Sequence, residues 1–156
     1  MTKEPVLLVE DDPSDARLIQ RAFSKLELGV PMIRLTNGDE VVSYLSGERP
    51  FDNRATHPLP SLVLLDIKLP RRSGFEVLQW VRRQPSALNR IPVVMLTSSR
   101  HSVDINRAYD LGANSYLTKP ETASQLGDLA QKVQSYWLGL NEFPDLHGGP
   151  SLPARR

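Results

Sequence analysis

The chain contains no cysteine, which excludes disulfides, thiolate metal centres and a cysteine nucleophile. Neither sign of charge dominates. Nineteen Lys and Arg stand against 18 Asp and Glu, a formal net charge of +1, so no bulk field favours nucleic acid or an anionic membrane, and partners must be recognised through local surfaces. No apolar run is long enough to span a bilayer, and no apolar leader precedes the charged opening residues 1–5. The cytoplasm is therefore the expected location. Internal repeats are absent, and so are low-complexity tracts outside the Gly- and Pro-containing C-terminus. At 156 residues the length suits one ordinary domain that buries its own core, with no room expected for a second, effector domain.

What the chain does have is alternation. Five short apolar runs, each ending in a polar or small residue, are separated by stretches of helical periodicity, the pattern of βαβ units around a parallel sheet. The first run, Val6 to Val9, stops at Glu10, Asp11 and Asp12. It is followed by a helix with Pro13 and Ser14 at its start and Leu18, Ile19, Ala22, Phe23 and Leu26 on one stripe. Met32 to Leu35 reads as a second strand, Asn37 and Gly38 as a turn, and Val41, Val42 and Leu45 as a short helix closed by Gly47. Residues 47–60 carry three Pro, several charges and no periodicity, which predicts a long surface loop. Leu62 to Leu65 is continuously apolar, as a central strand covered on both faces must be, and Asp66 ends it. A loop through Pro70 and Gly74 leads to a helix with Phe75, Val77, Leu78 and Val81, with Pro85 past its end. Val93 to Leu96 is the fourth strand, ending in Thr97, Ser98 and Ser99. A polar helix over residues 103–111 is closed by Gly112. The fifth strand, Ser115 to Leu117, runs into Thr118, Lys119 and Pro120. The last helix is predicted over 122–137, with Leu126, Leu129, Ala130, Val133 and Trp137 inward.

In an open parallel α/β sheet, ligands bind outside the carboxyl ends of the strands. Glu10, Asp11, Asp66, Thr97 and Lys119 all fall there, so four strands aim three carboxylates, a hydroxyl and an ammonium at one edge. Clustered carboxylates repel and need a counter-charge, which a hard divalent cation with oxygen ligands supplies; Mg²⁺ suits a small site that keeps its waters. A carboxylate can attack phosphorus to form an acyl phosphate, a transfer helped mainly by positioning and charge neutralisation. Lys119 would then hold one phosphoryl oxygen and the Thr97 hydroxyl another.

The segments VLLVEDDPSDARL, LVLLDIKLP followed by SGFEVL, VVMLTSS and YLTKP, in this order and at these spacings, resemble the response-regulator receiver family of two-component signalling over residues 5–137. The resemblance implies an α/β, flavodoxin-like (βα)5 fold, a doubly wound parallel five-stranded sheet of order 2-1-3-4-5. It implies Asp66 as phosphoacceptor, and Glu10, Asp11, Asp66 and the Lys68 backbone carbonyl as ligands of Mg²⁺. Thr97 and Lys119 become phosphoryl-sensing residues, Tyr116 an aromatic switch, and the peptide before Pro120 is expected to be cis. Phosphorylation by a sensor histidine kinase would draw Thr97 inward, move Tyr116 and alter the face made by helix four, strand five and helix five. Together with LVEDDPSDARLIQRAF, YWLGLNEFP after the last helix is similar to stand-alone regulators paired with bacterial phytochrome kinases. A red/far-red-sensing kinase is the partner so implied.

Plainer roles exist for each residue. Asp11, Asp12 and Ser14 can cap the first helix, with Asp12 the best candidate for a pure cap. Asp66 alone would be a turn residue, Thr97 and Lys119 a loop hydroxyl and a surface amine, and Tyr116 a half-buried strand aromatic. The constellation is what promotes them. His57, His101 and His147 have no ligand spacing. A phosphohydrolase of the haloacid-dehalogenase type would need a second Asp where Lys68 stands; flavodoxin-type cofactor binding lacks its phosphate loop after the first strand. A phosphorylation-independent adaptor stays open. Residues 138–156 form an extension beyond a receiver domain of residues 1–137. Its apolar start, with Trp137, Leu138, Leu140 and Phe143, predicts a symmetric homodimer through this cluster and the face of helices four and five, the alternative being a tail folded on its own subunit. The final residues GGPSLPARR read as flexible.

Overall fold

Strands β1 (Val6–Val9), β2 (Met32–Leu35), β3 (Leu62–Leu65), β4 (Val93–Thr97) and β5 (Ser115–Thr118) form one sheet in the order β2-β1-β3-β4-β5. Every pairing is parallel. The computed structural model describes residues 4–147, and the GGPSLPARR expectation lies outside them. Parallel neighbours need crossover helices that cover both faces. β1, β3 and β4 are accordingly buried along their whole length. Period-two alternation splits each strand. Leu7, Val9, Val63, Leu65 and Met95 face one core with α2 (Gly38–Ser46), α3 (Gly74–Arg82) and α4 (Ser102–Asp110). Val6, Leu8, Leu62, Leu64, Val94 and Leu96 face the other, covered by α1 (Pro13–Ser24) and α5 (Ala123–Val133). Each fully buried Leu or Val contributes about 1.5–3 kcal/mol.

Helix starts follow local chemistry. Asp12 accepts from the amides of Ser14 and Asp15 as the cap of α1, with Pro13 at the first position, and Ser73 and Glu76 form a reciprocal capping box on α3. Gly47 ends α2 at φ 73°, a left-handed conformation that side chains rarely adopt.

Four expectations are modified or extended. The peptide before Pro120 is not cis, since the only cis bond among the described residues precedes Pro50; the tertiary amide keeps the isomer it prefers by about 0.5–1 kcal/mol. Residues 47–60 form the surface loop expected, without regular structure and with only Pro60 buried, and what the pattern did not show is that the loop is pinned to the body of the domain. The Arg54 guanidinium donates to the carbonyls of Tyr44 (2.7 Å), Leu45 (2.8 Å) and His57 (3.2 Å), satisfying orphan groups at the end of α2. Phe51 and Leu59 pack on the core. α5 passes at Gln134 into a π-helical segment through Leu140, so the last helix is longer and less regular than its apolar pattern implied. That segment turns Trp137 and Leu138 onto the α1–α5 core, whereas Leu140 and Phe143 are exposed. Leu146 returns to the other core, helped by Arg90 Nη2 donating to the Asp145 carbonyl (2.8 Å). Among the described residues of the extension, Leu138 and Leu146 thus pack on the chain's own cores, because burying them locally removes them from water.

One close approach fixes the site. A Cβ on Gly74 would overlap the carbonyl of Asp66, and the Gly74 amide donates to Ile67 at 2.8 Å, so the start of α3 is seated directly on the Asp66 backbone. Gly74→Ala is expected to cost about 1–3 kcal/mol by overpacking, read from the urea midpoint; an unchanged midpoint contradicts this packing.

Candidate functional site

At the carboxyl edge of the sheet the chain gathers charges from four elements. β1 delivers Glu10 and Asp11, β3 delivers Asp66, the turn after β5 delivers Lys119, and the first turn of α1 adds Asp15. Oxygens of Glu10, Asp11 and Asp66 all lie within 4.8 Å of one another. Lys119 Nζ donates to Asp66 Oδ2 at 2.9 Å and Asp15 Oδ2 at 3.0 Å, and is ion-paired with Glu10 Oε1. The other Asp66 oxygen accepts from the Ile67 amide at 2.7 Å, and Glu10 Oε2 from the Asp12 amide at 3.2 Å. Glu10 and Asp66 are buried and Asp11 is exposed.

Two groups are displaced from their ordinary ionisation. Burial, reinforced by the Asp66 charge and opposed by Lys119, pushes the Glu10 carboxyl from 4.5 up to about 7. Burial works against the Lys119 ammonium, but its contacts with the Glu10, Asp66 and Asp15 carboxylates, which accept from it, outweigh burial and hold its pKa above the usual value. Glu10 Oε1 is buried and has no hydrogen bond of ordinary geometry, only the pressed contact with Lys119.

Beside the charges lies a cleft of about 430 Å³ whose walls include Asp66, Lys68, Thr97, Ser99, His101 and Asp104. Thr97 is buried at its floor, and its carbonyl accepts from the Lys119 amide at 2.8 Å, which locks β4 to the turn that carries Lys119. The Tyr116 hydroxyl donates to the Ser99 carbonyl at 2.9 Å, and the Ser99 hydroxyl to Asp104 at 2.6 Å. Burial raises the Tyr116 pKa. An acidic edge with one ammonium, beside a cleft lined by Asp66 and Thr97, is equipped to take a cation and an oxyanion together.

A family model for the response regulator receiver domain matches residues 6–131. The chain belongs to that family. Its relatives include the response regulator Rcp1 of Synechocystis sp. (PCC 6803), 37% identical over 139 residues that cover 89% of this chain and 92% of Rcp1. Among solved structures, the receiver resembles the phosphorylated cyanobacterial phytochrome response regulator RcpA with a TM-score of 0.84 at 35% identity, over 92% of this chain and 100% of that one. It resembles the Mn²⁺-bound form of Rcp1 with a TM-score of 0.82 at 34% identity, again over 92% and 100%. The receiver is therefore a response regulator related to Rcp1 and RcpA. That structural likeness spans more of the chain than residues 6–131, so it reaches into the π-helical extension.

Receiver domains bind Mg²⁺, and the donor set here fits such an ion. Three carboxylates converge with oxygen-only chemistry, one of them carrying a buried oxygen that lacks a proper hydrogen bond, and burial reinforced by the Asp66 charge works against ionisation of Glu10 where no cation is bound. Sequence reasoning located Glu10, Asp11, Asp66, Thr97 and Lys119 around this edge, and the structure brings them together. It missed Asp15, an acidic residue in a helical first turn that reads as a dipole partner. It also missed Arg34, whose guanidinium donates to the carbonyls of Glu10 (3.1 Å) and Asp11 (3.3 Å). A charged residue inside the apolar run of β2 was the available signal.

The raised Glu10 value fixes a sign. Between about 4.5 and 7 the folded receiver binds a proton that the unfolded chain has lost, so stability without metal falls as pH rises through that window. Above it the carboxyl is ionised and ready for a cation. Calorimetric Mg²⁺ affinity is expected to strengthen from pH 6 to pH 8 with proton release, and to lose most of that dependence in Glu10→Gln. Equal pH dependence in both proteins contradicts the assignment.

Proposed function

We propose that this receiver accepts a phosphoryl group on Asp66 from the phosphohistidine of a sensor kinase, and that the acceptance shifts the face made by α4, β5 and α5. The observation that carries the reading is the placement of Asp66, a buried carboxylate at the end of β3 that borders the open cleft with an ammonium 2.9 Å from one oxygen. A carboxylate oxygen of Asp66 forms the new bond to phosphorus as the phosphorus–nitrogen bond of the donor breaks. Lys119 neutralises one phosphoryl oxygen, and the Thr97 hydroxyl donates to another. Glu10, Asp11, Asp66 and the Lys68 backbone carbonyl would hold Mg²⁺, which would supply the charge neutralisation that so many negative oxygens require. The chain's own chemistry ends with this phosphotransfer and the slow loss of its phosphoryl group. With Lys68 two residues after Asp66, no carboxyl stands at that position to serve as general acid for rapid turnover.

The switch follows from contacts already described. Thr97 drawn toward the phosphoryl group strains the loop after β4, where Tyr116 and Asp104 both hold Ser99, so Tyr116 and the first turn of α4 respond together. The likeness to Rcp1 and RcpA favours a phytochrome-type kinase as the donor's source. Intact-mass spectrometry after incubation with acetyl phosphate and Mg²⁺ is expected to show one added phosphoryl group, absent in Asp66→Asn and absent with chelator. A protein that stays unmodified is an adaptor that works without phosphorylation.

The same face is proposed to pair two copies. A groove of about 520 Å³, walled by Leu117, Leu129, Val133, Tyr136 and Trp137, lies along α5, and the chain leaving its wall carries Leu140 and Phe143 in the open. Two-fold pairing would seat such residues of each copy against the other. Light scattering is expected to give a dimer mass for the unaltered protein and a monomer mass for Leu140→Glu/Phe143→Glu. A monomeric unaltered protein, phosphorylated or not, refutes the dimer.

A further inference from the structure

Lys119 has a partner that neither the phosphoacceptor nor the cation site requires. Its Nζ lies 3.0 Å from Asp15 Oδ2, yet Asp15 is no member of the Glu10, Asp11 and Asp66 group whose oxygens converge. Asp15 stands in the first turn of α1 with its side chain 41% exposed, whereas the Lys119 side chain is 11% exposed. Its carboxylate therefore reaches the ammonium from the solvent side, and Glu10 and Asp66 from the buried side. An ammonium has three N–H donors and no acceptor; here two of them serve Asp15 and Asp66, and Glu10 adds an ion pair.

We propose that Asp15 is a positioning residue that keeps Lys119 over Asp66 while the buried partners turn to other charges. The inference rests on the reading of Asp66 as phosphoacceptor. When Glu10 and Asp66 serve a cation, they have less charge to offer the ammonium, and the donors so released are what a phosphoryl oxygen needs. Lysine's four-carbon stem is flexible and its head group strongly hydrated; with both buried partners engaged elsewhere, Asp15 is the remaining partner of Nζ among the described residues that keeps it from swinging into water. Asp15 stays available because it stands outside the group of carboxylates that could hold the cation. The pair also spans the seam between α1 and the turn after β5, where Asp15, Lys119 and Pro120 border a small gap. The simpler role, a negative charge favouring the start of α1, involves no hold on Lys119.

The test compares the full chain with Asp15→Asn and Asp15→Glu. In the metal-free protein, mass spectrometry reads acylation of Lys119 by an amine-reactive reagent; calorimetry reads Mg²⁺ affinity; phosphoryl uptake from acetyl phosphate is timed at saturating Mg²⁺. Asp15→Asn is expected to raise Lys119 labelling and to slow uptake, each by about fivefold, which is what a partly exposed ion pair is worth. Mg²⁺ affinity stays within about twofold on the same scale, and Asp15→Glu restores both other readouts. Unchanged labelling and uptake in Asp15→Asn overturn the proposal, as does a parallel loss of Mg²⁺ affinity, which would place Asp15 in the cation site. If the unaltered protein takes up no phosphoryl group, the Asp66 reading fails, and the labelling alone decides whether Asp15 holds Lys119.

Discussion

A single ammonium, Lys119 Nζ, sits among carboxylates from β1, α1 and β3, and the architecture of the carboxyl edge depends on that contact. Burying Glu10 and Asp66 beside each other would be prohibitive without a counter-charge, since isolated buried carboxylates lose their hydration and repel. Lysine suits this position better than arginine would. Its compact head places three donors among three acceptors without the planar fork that a guanidinium imposes. Burial, reinforced by the Asp66 charge and opposed by Lys119, still pushes the Glu10 carboxyl up to about 7.

The charged edge is joined to the fold by backbone contacts more than by side chains. The Asp66 amide donates to the Val9 carbonyl at 3.2 Å and the Lys119 amide to the Thr97 carbonyl at 2.8 Å, so each functional residue is an extension of a strand ladder. Arg34 ties down the carbonyls of the acidic loop from β2, and α3 abuts Asp66 through Gly74. From the cleft, the Tyr116, Ser99 and Asp104 hydrogen bonds lead to α4. In such an arrangement a new charge at Asp66 meets contacts with discrete alternatives, the physical requirement for a two-state response.

Much of this was legible in the chain. The continuous apolar runs of β1 and β3 can be covered only on both faces, the start of α1 carries its own cap in Asp12, and polar residues ending each run had one place to go once the sheet was parallel. Apolarity was less informative in the extension. Trp137, Leu138, Leu140 and Phe143 look alike as a hydrophobic cluster, but the π-helical register separates two that pack inward from two that do not, and a shift of one residue per turn has no sequence signature. The anchoring of the 47–60 loop through Phe51, Leu59 and Arg54 was equally hidden, because Arg54 is a charge that composition assigns to solvent.

The sequence by itself determined the alternating elements, the edge at which they end, and the identity of the carboxylates, hydroxyl and amine presented there, because these follow from local periodicity and from the geometry that any parallel sheet shares. Only the tertiary structure decided that Asp15 joins Lys119 across 104 positions of chain, that the peptide before Pro120 is trans, and that Leu146 closes the core. Each of those outcomes is a contact between distant segments, and the free energy of such a contact depends on shape and solvent exclusion that no local pattern encodes.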